Sequence, residues 1–506
     1  MSLKSRFEEY RTKSAELSHL GTILSVLQWD QQTMAPPGGH PFRGKQMAAL
    51  SRHLHRLATS KEVGALVGEL HDAGPDAFQP YQWRSIEESK RGYDENTRVS
   101  EDLVARAAEL SSIGQSAWEE AKKKADYEIF RPHLAEWIEL RKTIARAIYP
   151  DRHPYDFYLD SFERGLSRER VDSIFGPLRS GLKELRAAIG SSSKVIRPFP
   201  EGVYPAEVQK KLSEEVAGRL GFSFTHGRLD ESAHPFSVGI APTDVRMTTR
   251  YEGGNFYSSM LSTVHEVGHS LYEQGLPGGD WEGLPVSGAL GLVAHEGQSL
   301  LWERRVGQSE AFWAVFQPRL AELFPAIDGF SARELYEAAN KVQPCKIRID
   351  ADELTYVMHI LLRYELERDL FDDRVRVAEL PEAWNERSRE LLNIEPASDA
   401  EGVLQDSHWA DGAFGYFPVY TLGAMYGSQL FDAARGQVES LNHDLTRGEY
   451  GSLLGWLREK VHGKGRLLDA FSLLEETTGK ALEPGIYLDY LWEKYSAIYD
   501  LTRPSS

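Results

Sequence analysis

Apolar residues recur at three- and four-residue spacing along most of the chain, the period of an amphipathic helix. The repeat predicts helices near 3–20, 43–59, 61–72, 100–125, 130–148, 167–190 and 205–220, and again near 258–274, 289–307, 332–341, 352–371, 381–393, 416–440 and 451–477. Within 133–148, Leu134, Ile138, Leu140, Ile144 and Ile148 form one apolar face, and Pro150 closes the segment. One region departs from this period. Phe222 to Tyr257 is rich in aromatic and β-branched residues and punctuated by Gly227, Gly239, Gly253 and Gly254. There His234–Gly239 and Asp244–Tyr251 read as short strands or extended loops. With no internal repeat and no low-complexity linker, the expected architecture is mainly α, a single domain over 1–506, with a small β-sheet immediately before the helix near 258–274.

Charge and cysteine usage narrow the chemistry. The chain has 506 residues, with 58 Lys and Arg against 76 Asp and Glu, a formal net charge of −18. That balance disfavours nucleic acid as a partner, because phosphate binding calls for clustered cations. The single cysteine, Cys345, excludes an intrachain disulfide framework and cysteine-rich zinc sites. Any metal must be held by histidines and carboxylates. The first twenty residues are charged and amphipathic, unlike a signal peptide, and no run approaches the roughly 20 apolar residues that span a bilayer. A cytoplasmic protein with no membrane partner is expected.

The sharpest motif is His265-Glu266-Val267-Gly268-His269. Histidines at i and i+4 share one face of a helix, so two imidazoles can reach one ion, and Glu266 projects beside them to take a proton from the attacking water. Gly275 suits the end of that helix. A zinc site needs a third protein ligand and an open position. Glu296, in His295-Glu296-Gly297-Gln298, fits. If Gly275 to Gly288 is a loop between antiparallel helices, His269 and His265 lie roughly 8 and 14 Å from it, and Glu296 lies roughly 11 Å into the returning helix. His295 points about 100° away, and Glu303 lies about two turns deeper. His295 is expected to pack near the metal without ligating it. The second partners of the two histidines are not identified from sequence, since Leu300 occupies the position where some zinc sites place an orienting carboxylate.

These motifs, together with Trp29-Asp30, His234-Pro235-Phe236, the set Asp244, Arg246 and Thr248, Ile347-Arg348-Ile349-Asp350-Ala351-Asp352, Gly402-Val403-Leu404-Gln405-Asp406-Ser407-His408-Trp409 and Gln429, resemble the carboxypeptidase Taq family of thermostable metallocarboxypeptidases. The resemblance implies a large helical fold with two lobes around a deep substrate channel, a homodimer, and metal-dependent removal of C-terminal residues with broad side-chain tolerance. It implies His265, His269 and Glu296 as metal ligands and Glu266 as general base, in agreement with the helical geometry.

Peptides with a free C-terminus call for a fixed guanidinium. Arg348 is the leading candidate, against a structural ion pair with Asp350 or Asp352; Gln405 is expected to add a hydrogen bond, and Arg246 is the second option. For the oxyanion, Tyr420 is preferred over Tyr416, His234 and His408. The His₂Glu donor set accepts Zn²⁺, with Co²⁺ or Mn²⁺ as substitutes. The competing reading is a helical zinc oligopeptidase or endopeptidase, which would not need a free C-terminus. A metal-bound, non-catalytic peptide binder is disfavoured by the intact Glu266.

Overall fold

Side-chain caps start two of the helices that build the site. The Asn255 side chain accepts from the Ser258 N–H and opens the motif helix, Phe256–Glu273; Asp352 accepts from Thr355 and opens Glu353–Phe371. The computed structural model describes residues 2–503. Its architecture is helical, with one three-stranded sheet among the described residues. No described helix is long and apolar enough to cross a membrane.

The sheet has order β1-β3-β2, where β1 is Gly227–Glu231, β2 Ser237–Ala241 and β3 Asp244–Thr249. β1 runs parallel to β3 with Leu229 opposite Met247, and β2 runs antiparallel with Ser237 opposite the same Met247. Two of these strands lie in the regions read from sequence. β2 begins three residues after His234, because Pro235 carries no N–H to donate to a ladder. β1 was not anticipated: its sequence, Gly-Arg-Leu-Asp-Glu, is mostly polar and buries only Leu229.

Helix prediction fails at two kinds of place. The helices Pro80–Arg98, Pro154–Phe162 and Pro484–Tyr499 each begin on a proline, which reads as a stop signal but is well accommodated in the first turn; Glu310–Leu323 was missed as well. Conversely, the run 451–477 is two helices, Gly451–Lys460 and Ala470–Thr478. Gly465 sits between them at φ +50°, where a Cβ would lie 2.2 Å from the Val286 carbonyl oxygen.

Three helices cross at the site through backbone contact. The ligand helix, Leu292–Leu300, lies between the motif helix and the crossing helix, Pro418–Gln437. A Cβ at Gly268 would stand 2.6 Å from Ser299 Cα, and one at Gly427 would stand 2.3 Å from the Gly297 carbonyl oxygen. Only glycine permits so close an approach, and the approach brings Glu296 to the level of His265 and His269. Beyond Leu300 the segment widens into a π-helical turn, Leu301–Gly307. Apolar packing falls into a main core through these helices and a separate small cluster of Phe7, Tyr10, Leu66, Val67, Leu70, Ile86, Leu284 and Val286 under the N-terminal helices.

Candidate metal centre and substrate cavity

His265, His269 and Glu296 each offer one ligand atom, and these atoms lie within 4.8 Å of one another. His269 Nε2 is 3.6 Å from Glu296 Oε2, and His265 Nε2 is 4.0 Å from Glu296 Oε1. A tetrahedral ion with bonds of about 2.0–2.1 Å spaces its donors roughly 3.3 Å apart, so small side-chain rotations close this set on one ion. The donor chemistry therefore fits a divalent metal. Burial holds His269 well below its ordinary pKa, which leaves its lone pair free.

Glu303 supports this set from behind. Its Oε2 lies 2.5 Å from His265 Nδ1, and Arg304 pairs with its other oxygen at 2.7 Å. Burial alone would lower the His265 pKa, but the Glu303 hydrogen bond and the Glu296 charge raise it to about 9. Carboxylates in this position fix the imidazole tautomer and sharpen its basicity. Glu303 is thus the partner that sequence reading left unnamed; it sits seven residues after Glu296, inside the π-helical turn, and outside the cluster of His265, His269 and Glu296. His295 stays off the cluster, its ring stacked on His269 at 4.5 Å and its Nε2 2.9 Å from Glu273 Oε1.

Glu266 is 6% exposed. Ser237 Oγ, on β2, donates to Glu266 Oε2 at 2.7 Å, and burial raises the carboxylate above its usual pKa range. The small sheet thereby touches the chemistry directly. Ser237 had drawn no attention in the sequence, because serine before a short apolar strand carries no signal of its own.

A cavity of about 930 Å³ opens beside these ligands, lined by His265, Glu296, Arg348, Tyr356, Tyr416 and Tyr420, among others. Arg348 is 6% exposed. Its Nε and Nη2 donate to Asp406 Oδ1 at 3.1 and 2.8 Å, and Nη1 donates to the Tyr356 hydroxyl at 2.9 Å. The ion-pair partner is therefore Asp406, not Asp350 or Asp352; Asp352 is occupied as a helix cap. Asp406 also accepts from Arg363 Nε at 2.7 Å. Burial alone would raise the Asp406 pKa, but Arg363 and Arg348 hold it well below the carboxylate range. Two buried guanidiniums thus share one carboxylate, leaving one positive charge in excess at the cavity wall. Of the five N–H groups of Arg348, one on Nη1 and one on Nη2 remain unengaged.

Four of the expected substrate groups are placed otherwise. The Gln405 amide is used up inside the loop: Oε1 accepts from the Arg348 N–H at 3.0 Å, and Nε2 donates to the Lys346 and Glu401 carbonyls. Gln405 positions Arg348 and does not face the cavity. Arg246 is paired with Asp244 through two 2.9 Å hydrogen bonds and lies over Trp29 at 4.4 Å. His408 packs behind Tyr416 and Phe417, and burial pushes its pKa down to about 4. His234 is exposed before β2. None of the four lines the cavity. Tyr420 does, with its hydroxyl 3.5 Å from that of Tyr416 and its ring 6.0 Å from Tyr356. Asp406, Tyr356 and Arg363 were the functional neighbours missed; Asp406 was visible as an acid beside Gln405 in the Gly402 motif, whereas Tyr356 and Arg363 look like ordinary members of a buried helix.

A histidine–glutamate cluster able to hold a metal, with a buried carboxylate beside it and a cationic cavity wall, is the layout of a metallopeptidase. A profile of the carboxypeptidase Taq (M32) metallopeptidases matches residues 9–495, and the chain belongs to that family. It is 38% identical over 503 residues to thermostable carboxypeptidase 1 of Thermus thermophilus, covering 97% of this chain and 98% of that one. It is 35% identical to carboxypeptidase 1 of Bacillus subtilis, covering 99% and 100%. The crystal structure of an M32 carboxypeptidase from Deinococcus radiodurans R1 superposes with TM-score 0.95 at 33% identity, over 98% of this chain and 100% of that one.

Proposed function

We propose that this metallocarboxypeptidase holds Zn²⁺ on His265, His269 and Glu296 and removes single residues from the free C-terminus of peptides, with the C-terminal carboxylate on Arg348. The carrying observation is the shared cavity: Arg348 lines the same space as His265 and Glu296 and keeps two N–H groups unengaged. A divalent ion in that site supplies a Lewis acid that polarises the scissile carbonyl and acidifies water.

The chain's own groups do the rest. Arg348 fixes the terminal carboxylate by charge-assisted pairing, which sets the scissile bond one residue from the end. Glu266 accepts the proton of the attacking water and passes it to the leaving nitrogen; its burial, which raises its pKa, suits both steps. Ser237 holds the other face of that carboxylate. Tyr420, whose pKa burial raises well above its usual value, stays protonated and donates to the developing oxyanion. Co²⁺ or Mn²⁺ suits the same donors. A homodimer in the cytoplasm completes the reading, supported by family likeness and by the single cysteine respectively.

The test compares wild type and Arg348→Ala on a peptide acid and its C-terminal amide, at saturating zinc, following release of the last residue. Amidation and the substitution should each slow cleavage severely, and the two losses should not add, because each removes the same interaction. Equal cleavage of acid and amide, or internal fragments as products, would replace this reading with the oligopeptidase one.

A further inference from the structure

The ligand helix begins without a cap of its own. Gly291 occupies the N-cap position and has no side chain to offer the first orphaned N–H groups. Those groups are met from 130 residues away, where Glu163 Oε2 accepts from the Val293 N–H at 2.8 Å. Glu163 follows the helix Pro154–Phe162 and is 2% exposed. Its carboxyl presses on the glycine so closely that a Cβ at Gly291 would lie 2.4 Å from Oε2. The residues just before are gripped as well: the Leu290 N–H donates to the Tyr272 hydroxyl at 3.0 Å, and Arg466 Nε donates to the Ala289 carbonyl at 2.5 Å.

Glu296 stands one turn beyond Val293, so whatever fixes the helix start fixes the third ligand. Tyr272 belongs to the motif helix that carries His265 and His269, and Glu163 to another part of the fold. The start of the ligand helix is therefore referenced both to the histidine pair and to the surrounding core. We infer that Glu163 is a positioning residue for the metal centre, a cap supplied from a distant segment that sets the height and rotation of Glu296 against the two histidines. The inference rests on the ligand assignment proposed above. Burial pushes the Glu163 carboxyl up to about 8, and a neutral carboxyl still accepts through its carbonyl oxygen, so glutamine should replace it.

The test titrates metal-free protein with zinc against a chromophoric chelator, records the absorption spectrum of the cobalt-loaded protein, and measures the melting temperature of the metal-free form. Glu163→Leu should lose about ten- to hundredfold in zinc affinity, the range seen when groups that orient ligands are removed, and should alter the cobalt spectrum. Glu163→Gln should stay near wild type. Gly291→Ala, at a φ of −54° that alanine adopts freely, should reproduce the loss by pushing the carboxyl away, and it carries the test if Glu163→Leu does not fold. A lower melting temperature with unchanged zinc affinity and cobalt spectrum would overturn the inference, as would Glu163→Gln behaving like Glu163→Leu. Equal zinc affinity in wild type and His269→Ala would instead overturn the ligand assignment, and the inference with it.

Discussion

His265 and Glu266 are neighbours in sequence, and both have raised pKa values for different reasons. The imidazole of His265 is charged by its surroundings: Glu303 at 2.5 Å and the nearby Glu296 raise its pKa to about 9 against the opposing effect of burial. A metal must displace that proton from Nε2. Apparent zinc affinity should therefore rise about tenfold per pH unit between pH 6 and 8, and flatten above about 9. Glu303→Gln removes the charge that holds the proton, so the pH slope should shrink while affinity at pH 8 falls about 10–100-fold. Competition titrations across pH measure both, and a steeper slope in the variant would contradict the assigned role. In Glu266 burial acts in the other sense, making the carboxylate more basic, and Ser237 steadies it. Glu266→Gln should keep the metal while turnover drops about 10²–10⁴-fold. Metal content and single-turnover rate, read on one preparation, separate the two effects.

Among elements, Glu353–Phe371 ties the substrate side to the core. Glu367 on this helix is fully buried and surrounded by donors: the Tyr155 hydroxyl and the Gly415 N–H reach Oε2 at 2.8 Å, and Trp409 Nε1 reaches Oε1 at 2.7 Å. An amide in its place must set an N–H against either the indole or the backbone N–H, whichever way it turns. Glu367→Gln should destabilise the protein by about 1–3 kcal/mol, visible as a lower urea midpoint at unchanged slope. The sequence carried some of this and not the rest. The motif helix, the loop after it and the level of Glu296 follow from period and rise alone. The position of Glu303 does not, because helical rise places it about two turns beyond Glu296, and only the π-helical turn and the close contact of Gly268 with Ser299 show that His265 stands in front of it. The place of Gln405 was hidden for a related reason. A free amide in a motif is indistinguishable from one consumed by three backbone groups until the loop is folded.

Over the whole molecule, burial is uneven. The helix Glu353–Phe371 buries 16 of its residues, among them Leu354, Met358, Leu362 and Leu366. The helix His40–Ala58 buries none, and its neighbour Leu3–Thr33 buries only Phe7, Tyr10 and Trp29. The N-terminal helices rest on their own small cluster, completed by Leu284 and Val286 from the loop after the motif helix. At its far end Leu3–Thr33 is pinned by Trp29 under the Arg228 and Arg246 guanidiniums, 4.9 and 4.4 Å from its ring, and by the Asp30–Arg43 ion pair at 2.6 Å. Local opening costs little where few apolar groups leave water, so this part should open well below the global unfolding free energy. Hydrogen exchange followed by mass spectrometry should show peptides from 40–58 exchanging orders of magnitude faster than those from 353–371. Trp29→Ala removes the pin and should spread fast exchange into 20–33 while leaving 353–371 and zinc affinity unchanged, because His265, His269 and Glu296 lie on helices of the main core. Slow exchange in 40–58, matching 353–371, would mean that this helix is covered in solution, and repeating the measurement at tenfold lower protein concentration would show whether a second copy provides the cover.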